Sequence, residues 1–339
     1  MMKKYLFFSI KLIISGIFAL IVLSVFSLFY SNQPSAIAQP DKITNNRYMP
    51  NSYWSYMTEG FGYGKIDSLG YNNAYYRNCT SPDIVFVGSS QLEAWQVPED
   101  SNFIYLLNKK LNEDSLENNN FKCLNLGVSG HFFNVSVSNY KYVAEKYSNA
   151  KCIILEAATA DFDDDMLDKM INEEYHSDLG DRSMLFMTMR KIPYFRVLYA
   201  KLKNNSSNND ADSSDEETDF NEQTYTEKMN IILDNIVKIS EKHEIEPVIL
   251  FRNKIEIDED NNAKIECDEE IVNVFKKCCS EHGIKVIDVN PRFISHYKET
   301  YELPYGFANT VPGNGHLNKV GHELISEELY DRINEYMEK

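Results

Sequence analysis

The chain has 339 residues, and 51 Asp and Glu against 34 Lys and Arg give a formal net charge of −17. That length suits one large domain with appendages, and the acidic balance excludes a nucleic-acid surface, which needs clustered positive charge. The six cysteines (Cys79, Cys123, Cys152, Cys267, Cys278, Cys279) show no metal-ligand spacing. No metal centre is expected from them, and Cys123 and Cys152, inside apolar runs, read as buried free thiols.

Lys3 and Lys4 precede an apolar run that reaches Tyr30 with Lys11 as its one interruption. Residues 12–30 are long enough to span a bilayer as a helix. The basic residues ahead of it would hold the N-terminus in the cytoplasm and send the remainder outside. A cleaved signal peptide is the rival reading, since Ala36-Ile-Ala38 offers a small-x-small site. Either reading expects an extracytoplasmic main domain. Residues 31–64 form a membrane-proximal segment rich in aromatic residues around Gly60-Phe-Gly-Tyr-Gly64. No strand precedes these glycines, so they do not form a dinucleotide fingerprint, and no cofactor is expected. The segment either packs against the main domain or offers a carbohydrate-stacking platform.

From Asp83 the pattern alternates. Strand-like runs at 84–87, 123–126, 152–155, 248–251 and 286–287 are separated by helical periods at 102–111, 133–147, 220–243 and 269–282, with a last helix near 320–337. Short apolar strands between amphipathic helices predict a parallel sheet covered on both faces, over residues 65–339. An insertion is expected at about 161–220; within it, 204–217 is Asn, Ser, Asp and Glu with almost no apolar side chains, the composition of a disordered acidic loop. The insertion reads equally as a lid, a partner surface or a plain surface excursion.

Asp83-Ile-Val-Phe-Val-Gly-Ser-Ser-Gln-Leu92 reads as a buried strand stopping at a small-residue turn, which puts Ser90 at the mouth of the sheet, where ligands bind in open α/β folds. A serine there needs a base and an oxyanion site to act as a nucleophile. Asn125-Leu-Gly-Val-Ser-Gly-His131 ends the second strand with small residues whose N–H groups can approach a ligand. Pro312-Gly-Asn-Gly-His-Leu-Asn-Lys-Val-Gly-His322 leads into the last helix, placing His316 on a loop from which it can act as a base and His322 inside the helix as a structural group. Residues 258–269 set Asp258, Asp260, Asn262 and Glu269 at calcium-loop positions, but Ala263 replaces the glycine of the sharp turn, so a solvated loop or hairpin is expected instead.

In order and spacing, three of these pieces resemble the SGNH (GDSL-type) hydrolase family. Gly88-Ser-Ser-Gln-Leu is similar to its first block, with Ser90 at the nucleophile and Ser89 where aspartate is usual. Asn125-Leu-Gly-Val-Ser-Gly130 is similar to the second, with Gly130 at the oxyanion-hole glycine beside the Ser90 N–H, and His316-Leu-Asn-Lys-Val-Gly-His is similar to the last, with His316 at the base. Ser68-Leu-Gly-Tyr71 resembles a segment often found before the first block of exported members. The resemblance covers roughly 65–335. It implies a three-layer α/β/α flavodoxin-like fold and acyl-ester chemistry. Two departures stand out. Ala160 occupies the place of the asparagine that donates to the oxyanion, and the acid position before the histidine holds Gly313 or, in the register of some membrane-associated relatives, Asn314. Asn314 is the residue expected beside His316, although another carboxylate such as Asp161 could move in. The anchor resembles that of SGNH partners of membrane-bound O-acyltransferases and of D-alanyl teichoic-acid transfer proteins. That implies a single-pass cell-membrane protein acting on an acylated cell-envelope polymer or a small ester, by hydrolysis or acyl transfer. The alternative is a catalytically impaired scaffold of an envelope-modification complex.

Overall fold

The computed structural model describes residues 2–30, 38–114, 121–162, 164–172 and 221–337, with 192, 194–195 and 198. Much of the expected insertion, including the acidic stretch 204–217, lies outside the described residues. The first element is helix α1 (Met2–Tyr30). Its stretch Lys4–Ser27 is long and apolar enough to cross a membrane, and its most apolar window is not buried against the rest of the chain.

Two small antiparallel hairpins follow. Strands β1 (Ala38–Pro40) and β2 (Asn46–Tyr48) pair with each other, as do β3 (Tyr53–Tyr56) and β4 (Gly62–Lys65). Tyr48, Trp54, Ile66 and Trp95 form a separate small core under them. From Ala38 onward, the segment expected at 31–64 therefore packs onto the domain, and it does so as paired strands. Alternation turns Trp54 of β3 inward, between exposed Tyr53 and half-buried Ser55, with Tyr56 packed against the same core.

The main sheet begins at β5 (Ile84–Val87), which leads into the one-turn helix α2 (Ser90–Glu93) and then α3 (Phe103–Lys109). After β6 (Cys123–Asn125) come α4 (Phe133–Lys146), β7 (Cys152–Ala157), α5 (Asp164–Ile171) and α6 (Glu222–His243). Next are β8 (Glu246–Phe251), the hairpin of β9 (Ile255–Ile257) and β10 (Ala263–Ile265), and α7 (Glu269–Glu281). The chain ends with β11 (Lys285–Asp288), α8 (Asn290–Thr300) and α9 (Lys319–Met337). Strands pair in parallel in the order β11-β8-β7-β5-β6. Counted within this sheet the order is 2-1-3-4-5, the flavodoxin-like arrangement, and its switch point falls between the first and third strands.

Period-two alternation builds the three layers. Val85, Val87, Ile153, Leu155, Ile249 and Phe251 face α4, α5, α6 and α7. Ile84, Phe86, Cys152, Ile154, Val248 and Leu250 face α3, α8 and α9. Each such side chain contributes about 1.5–3 kcal/mol by leaving water, and a strand buried on both faces must be apolar throughout. Helix α8, which the sequence pattern does not predict, opens with Pro291 in its first turn, where the missing N–H costs nothing. Residues 258–269 hold the turn and second strand of the β9–β10 hairpin and the Asp268 cap of α7; Asp258 Oδ1 accepts from Asp260 N and Asn262 N across that turn.

Candidate active site

Strand β5 stops at Gly88, and the backbone turns at once into α2. Ser89 caps this helix, its Oγ accepting from Gln91 N at 3.3 Å, so Ser90 stands at the first helical position, over the switch point. The carboxylate of Glu156, at the end of neighbouring β7, fixes this turn. Its Oε2 accepts from Ser89 N at 2.7 Å and Ser89 Oγ at 3.0 Å, while Oε1 accepts from Arg252 Nε at 2.6 Å. Glu156 and Arg252 are both buried. Their opposite charges offset the desolvation that either alone would incur.

His316 reaches Ser90 from the loop before α9, with Nε2 and Oγ 2.9 Å apart. Gln91 ties this loop to α2, accepting from Leu317 N at 2.7 Å and donating to Gly315 O at 3.3 Å. The other ring nitrogen of His316 meets a residue that sequence reasoning missed. Glu59, on the turn between β3 and β4, lies 2.6 Å from Nδ1 through Oε2 and accepts from His316 N at 2.6 Å through Oε1. Burial works against the charged Glu59 carboxyl, but the bonds and charge of His316 outweigh it and hold the group below its ordinary value. Gly315 has φ +93, and a Cβ there would overlap Glu59 Oε1, so this register of the carboxylate requires glycine.

Asn314 does not occupy the acid position. Its Oδ1 accepts from Gly315 N at 2.8 Å and Lys254 Nζ at 2.9 Å. The left-handed Gly313 and Gly315 around it turn the side chain toward Lys254, and Glu59 fills the space beside the imidazole. Asp161 is also placed elsewhere. Its Oδ2 accepts from Ala158 N at 2.9 Å, and burial raises its carboxyl to about 6. His322 is buried, stacks 5.7 Å from the Phe103 ring, and has its pKa pushed down to about 3 by burial.

Gly130 is exposed on the loop from β6 to α4. That loop is bound to α2: Val128 N donates to Gly88 O at 3.0 Å, and Ser129 Oγ donates to Glu93 Oε2. Beside Ser90 lies a cavity of about 240 Å³ whose walls include Phe132, Phe133, Thr159, Asn253 and Lys254. Among the described residues there is no cluster of His, Cys, Asp and Glu able to hold a metal ion.

Fold and site together define a doubly wound α/β domain carrying a serine–histidine–carboxylate chain at its switch point. No family model matches the sequence, and no curated protein matches it. Among solved structures it is similar to the acetyl xylan esterase AlAXEase, with 13% identity, a TM-score of 0.41 and coverage of 74% of this chain and 98% of that one. It is also similar to LAE5, an alpha/beta hydrolase from the metagenome of Lake Arreo (13% identity, TM-score 0.43, 76% and 97% covered). A third similar structure is a member of the lipolytic protein G-D-S-L family from Veillonella parvula (15% identity, TM-score 0.38, 74% and 97% covered).

Proposed function

We propose that this protein is an SGNH-type, serine-dependent acyl-ester hydrolase or acyltransferase, anchored in the cell membrane by α1 with its main domain outside the cytoplasm. The observation that carries the reading is the unbroken chain from Ser90 Oγ through both nitrogens of His316 to Glu59. Ser90 Oγ attacks the acyl carbonyl carbon as His316 Nε2 takes its proton, and Glu59 holds the imidazole tautomer and balances the imidazolium. The N–H groups of Ser90 and Gly130 receive the oxyanion. Collapse expels the alcohol, which takes the proton back from His316, and leaves an acyl ester on Ser90. Water or an acceptor hydroxyl, deprotonated by His316, then releases the acyl group and restores the serine.

The proposed substrate class is an acylated cell-envelope glycan or polymer, with a membrane-bound O-acyltransferase as a candidate partner. Helix α1, long and apolar enough to cross a membrane, supports this reading, because such an anchor would keep the domain within reach of a membrane surface. The scaffold alternative rested on a missing acid, and Glu59 supplies a carboxylate where that acid acts. Labelling by a fluorophosphonate tests the proposal: wild type should be modified at Ser90, and Ser90→Ala and His316→Ala should not. An unlabelled wild type would leave the scaffold as the better reading.

A further inference from the structure

The two backbone donors proposed above belong to different segments. Ser90 N is on α2, and Gly130 N is on the loop from β6 to α4, so they can serve one oxyanion only if the two segments keep a fixed spacing. We infer that Glu93 is the positioning residue that sets it: from α2, its carboxyl holds the Ser129 hydroxyl and so places the Gly130 N–H. The inference rests on the proposed roles of Ser90 and Gly130.

The tip of the loop is a turn from Val128 to His131, closed by His131 N donating to Val128 O at 3.0 Å. Gly130 takes its third position with φ +82, a conformation that glycine adopts without strain. The Gly130 N–H therefore lies in the central peptide of the turn, directly after Ser129. Both residues are exposed, and a Cβ on Gly130 would meet nothing within 4 Å, so no packed neighbour holds this peptide. The base of the loop is tied down: Val128 N donates to Gly88 O at 3.0 Å, and a Cβ on Gly127 would fall 2.6 Å from Glu93 N. At the tip, the bond described to α2 is the one from Ser129 Oγ to Glu93 Oε2. Glu93 is a firm anchor for it. Its N donates to Ser89 O at 3.0 Å, Ala94 N donates to Ser90 O at 2.9 Å, and the residue is 1% exposed, closed in by Tyr48 and Trp95. The Glu93 carboxyl and the Ser90 N–H thus share one turn of helix. A carboxyl buried this far costs free energy that an apolar side chain of similar shape would not. What it provides is an acceptor that joins Ser129 to the helix of the nucleophile. Donors fixed in advance stabilise an oxyanion without reorganising as charge develops.

The test is a double-mutant cycle in the full chain, on a short-chain aryl ester. Ser129→Ala removes only an exposed hydroxyl, and Glu93→Met removes the acceptor while filling the space. Removing one oxyanion donor costs roughly 10²–10³-fold in kcat, and misplacing one should cost about tenfold. Ser129→Ala should show that loss with KM and Tm little changed, and should bind a boronic-acid analogue of the tetrahedral state more weakly. Added to Glu93→Met it should cost nothing further, because the bond is already gone. Wild-type kcat in Ser129→Ala, or a second full loss on top of Glu93→Met, overturns the inference. Should Glu93→Met not fold, Ser129→Ala decides alone. Two controls separate this outcome from failure of the proposed site. Fluorophosphonate labelling of the wild type reports on Ser90. Gly130→Ala, strained by its positive φ yet free of clashes, disturbs the N–H directly. If it loses turnover and Ser129→Ala does not, Gly130 keeps its proposed role and the inference about Glu93 falls.

Discussion

Glu59 acts across 257 positions of sequence, and that separation is why it was not legible. Ser90 and His316 each sit in a local block with its own turn chemistry; a carboxylate arriving from an upstream hairpin leaves no such trace. The one sequence clue was negative, a glycine–asparagine–glycine run with no acid beside His316. Glu59→Gln keeps the shape and removes the charge, a change that costs about 10⁴-fold in a serine protease. Turnover of an aryl ester should fall by at least ~10²-fold, and Asn314→Asp should bring no gain, since Asn314 faces Lys254. Equal turnover in Glu59→Gln and wild type would show that the carboxylate is not functional. Glu93 gives a pH signature of a different kind. It is buried among Tyr48, Trp95 and Ser129, and burial raises its carboxyl from 4.5 to about 7. The neutral form is therefore the one the fold favours. Its contribution is fully present below the unfolded value and is lost as pH rises through about 7. Wild type should lose stability between about pH 5 and pH 8 relative to Glu93→Gln, on the order of 3 kcal/mol, read from denaturant melts at each pH. Parallel curves for the two proteins would refute it.

Among the elements, the core strands were readable because strands buried on both faces must be continuous apolar runs. The run at 84–87 coincides with β5, and those at 152–155, 248–251 and 286–287 lengthen by one or two residues at their ends. The two hairpins before Ile66 were not readable. Their strands are three or four residues long, and their inward residues are Trp54 and Tyr48 among polar neighbours, too few to establish a period. Yet the β3–β4 hairpin delivers Glu59, so its seating matters to the site. Gly62 lies against the Trp95 carbonyl so closely that a Cβ would overlap it. Across the turn, Asn309 Oδ1 accepts from Gly60 N at 2.8 Å, and its Nδ2 donates to Met57 O and Gly60 O at 3.2 Å each. These bonds hold both sides of Glu59 and are exposed, so they add little to global stability. Asn309→Ala should lower kcat roughly tenfold by loosening the position of the carboxylate, with Tm nearly unchanged. A large fall in Tm with kcat intact would mean that the clamp serves the fold and not the site.

At the scale of the whole molecule, the apolar helix α1 and the candidate site belong to separable parts. The most apolar window of α1 is not buried against the domain, and neither large core includes a residue from it. The hairpins from Ala38 onward, by contrast, share a core with Trp95 on the segment after α2, and they carry Glu59. A cut that keeps this hairpin together with the sheet therefore has to lie before Ala38. Removing residues 1–37 should yield a chain that stays in solution without detergent and turns over a water-soluble aryl ester as fast as the full chain in detergent. Removing residues 1–60 takes away β3 and the carboxylate together. The sheet and both of its cores are built from residues beyond that point, so the shorter chain should retain Ser90 and His316 while its turnover falls to the level of Glu59→Gln or lower. Adding Glu59→Gln to the 1–37 deletion supplies the control, because it removes the carboxylate while leaving the hairpin in place. If the 1–60 deletion folds and turns over as fast as the 1–37 deletion, Glu59 is dispensable and the segment before residue 65 is only a tether.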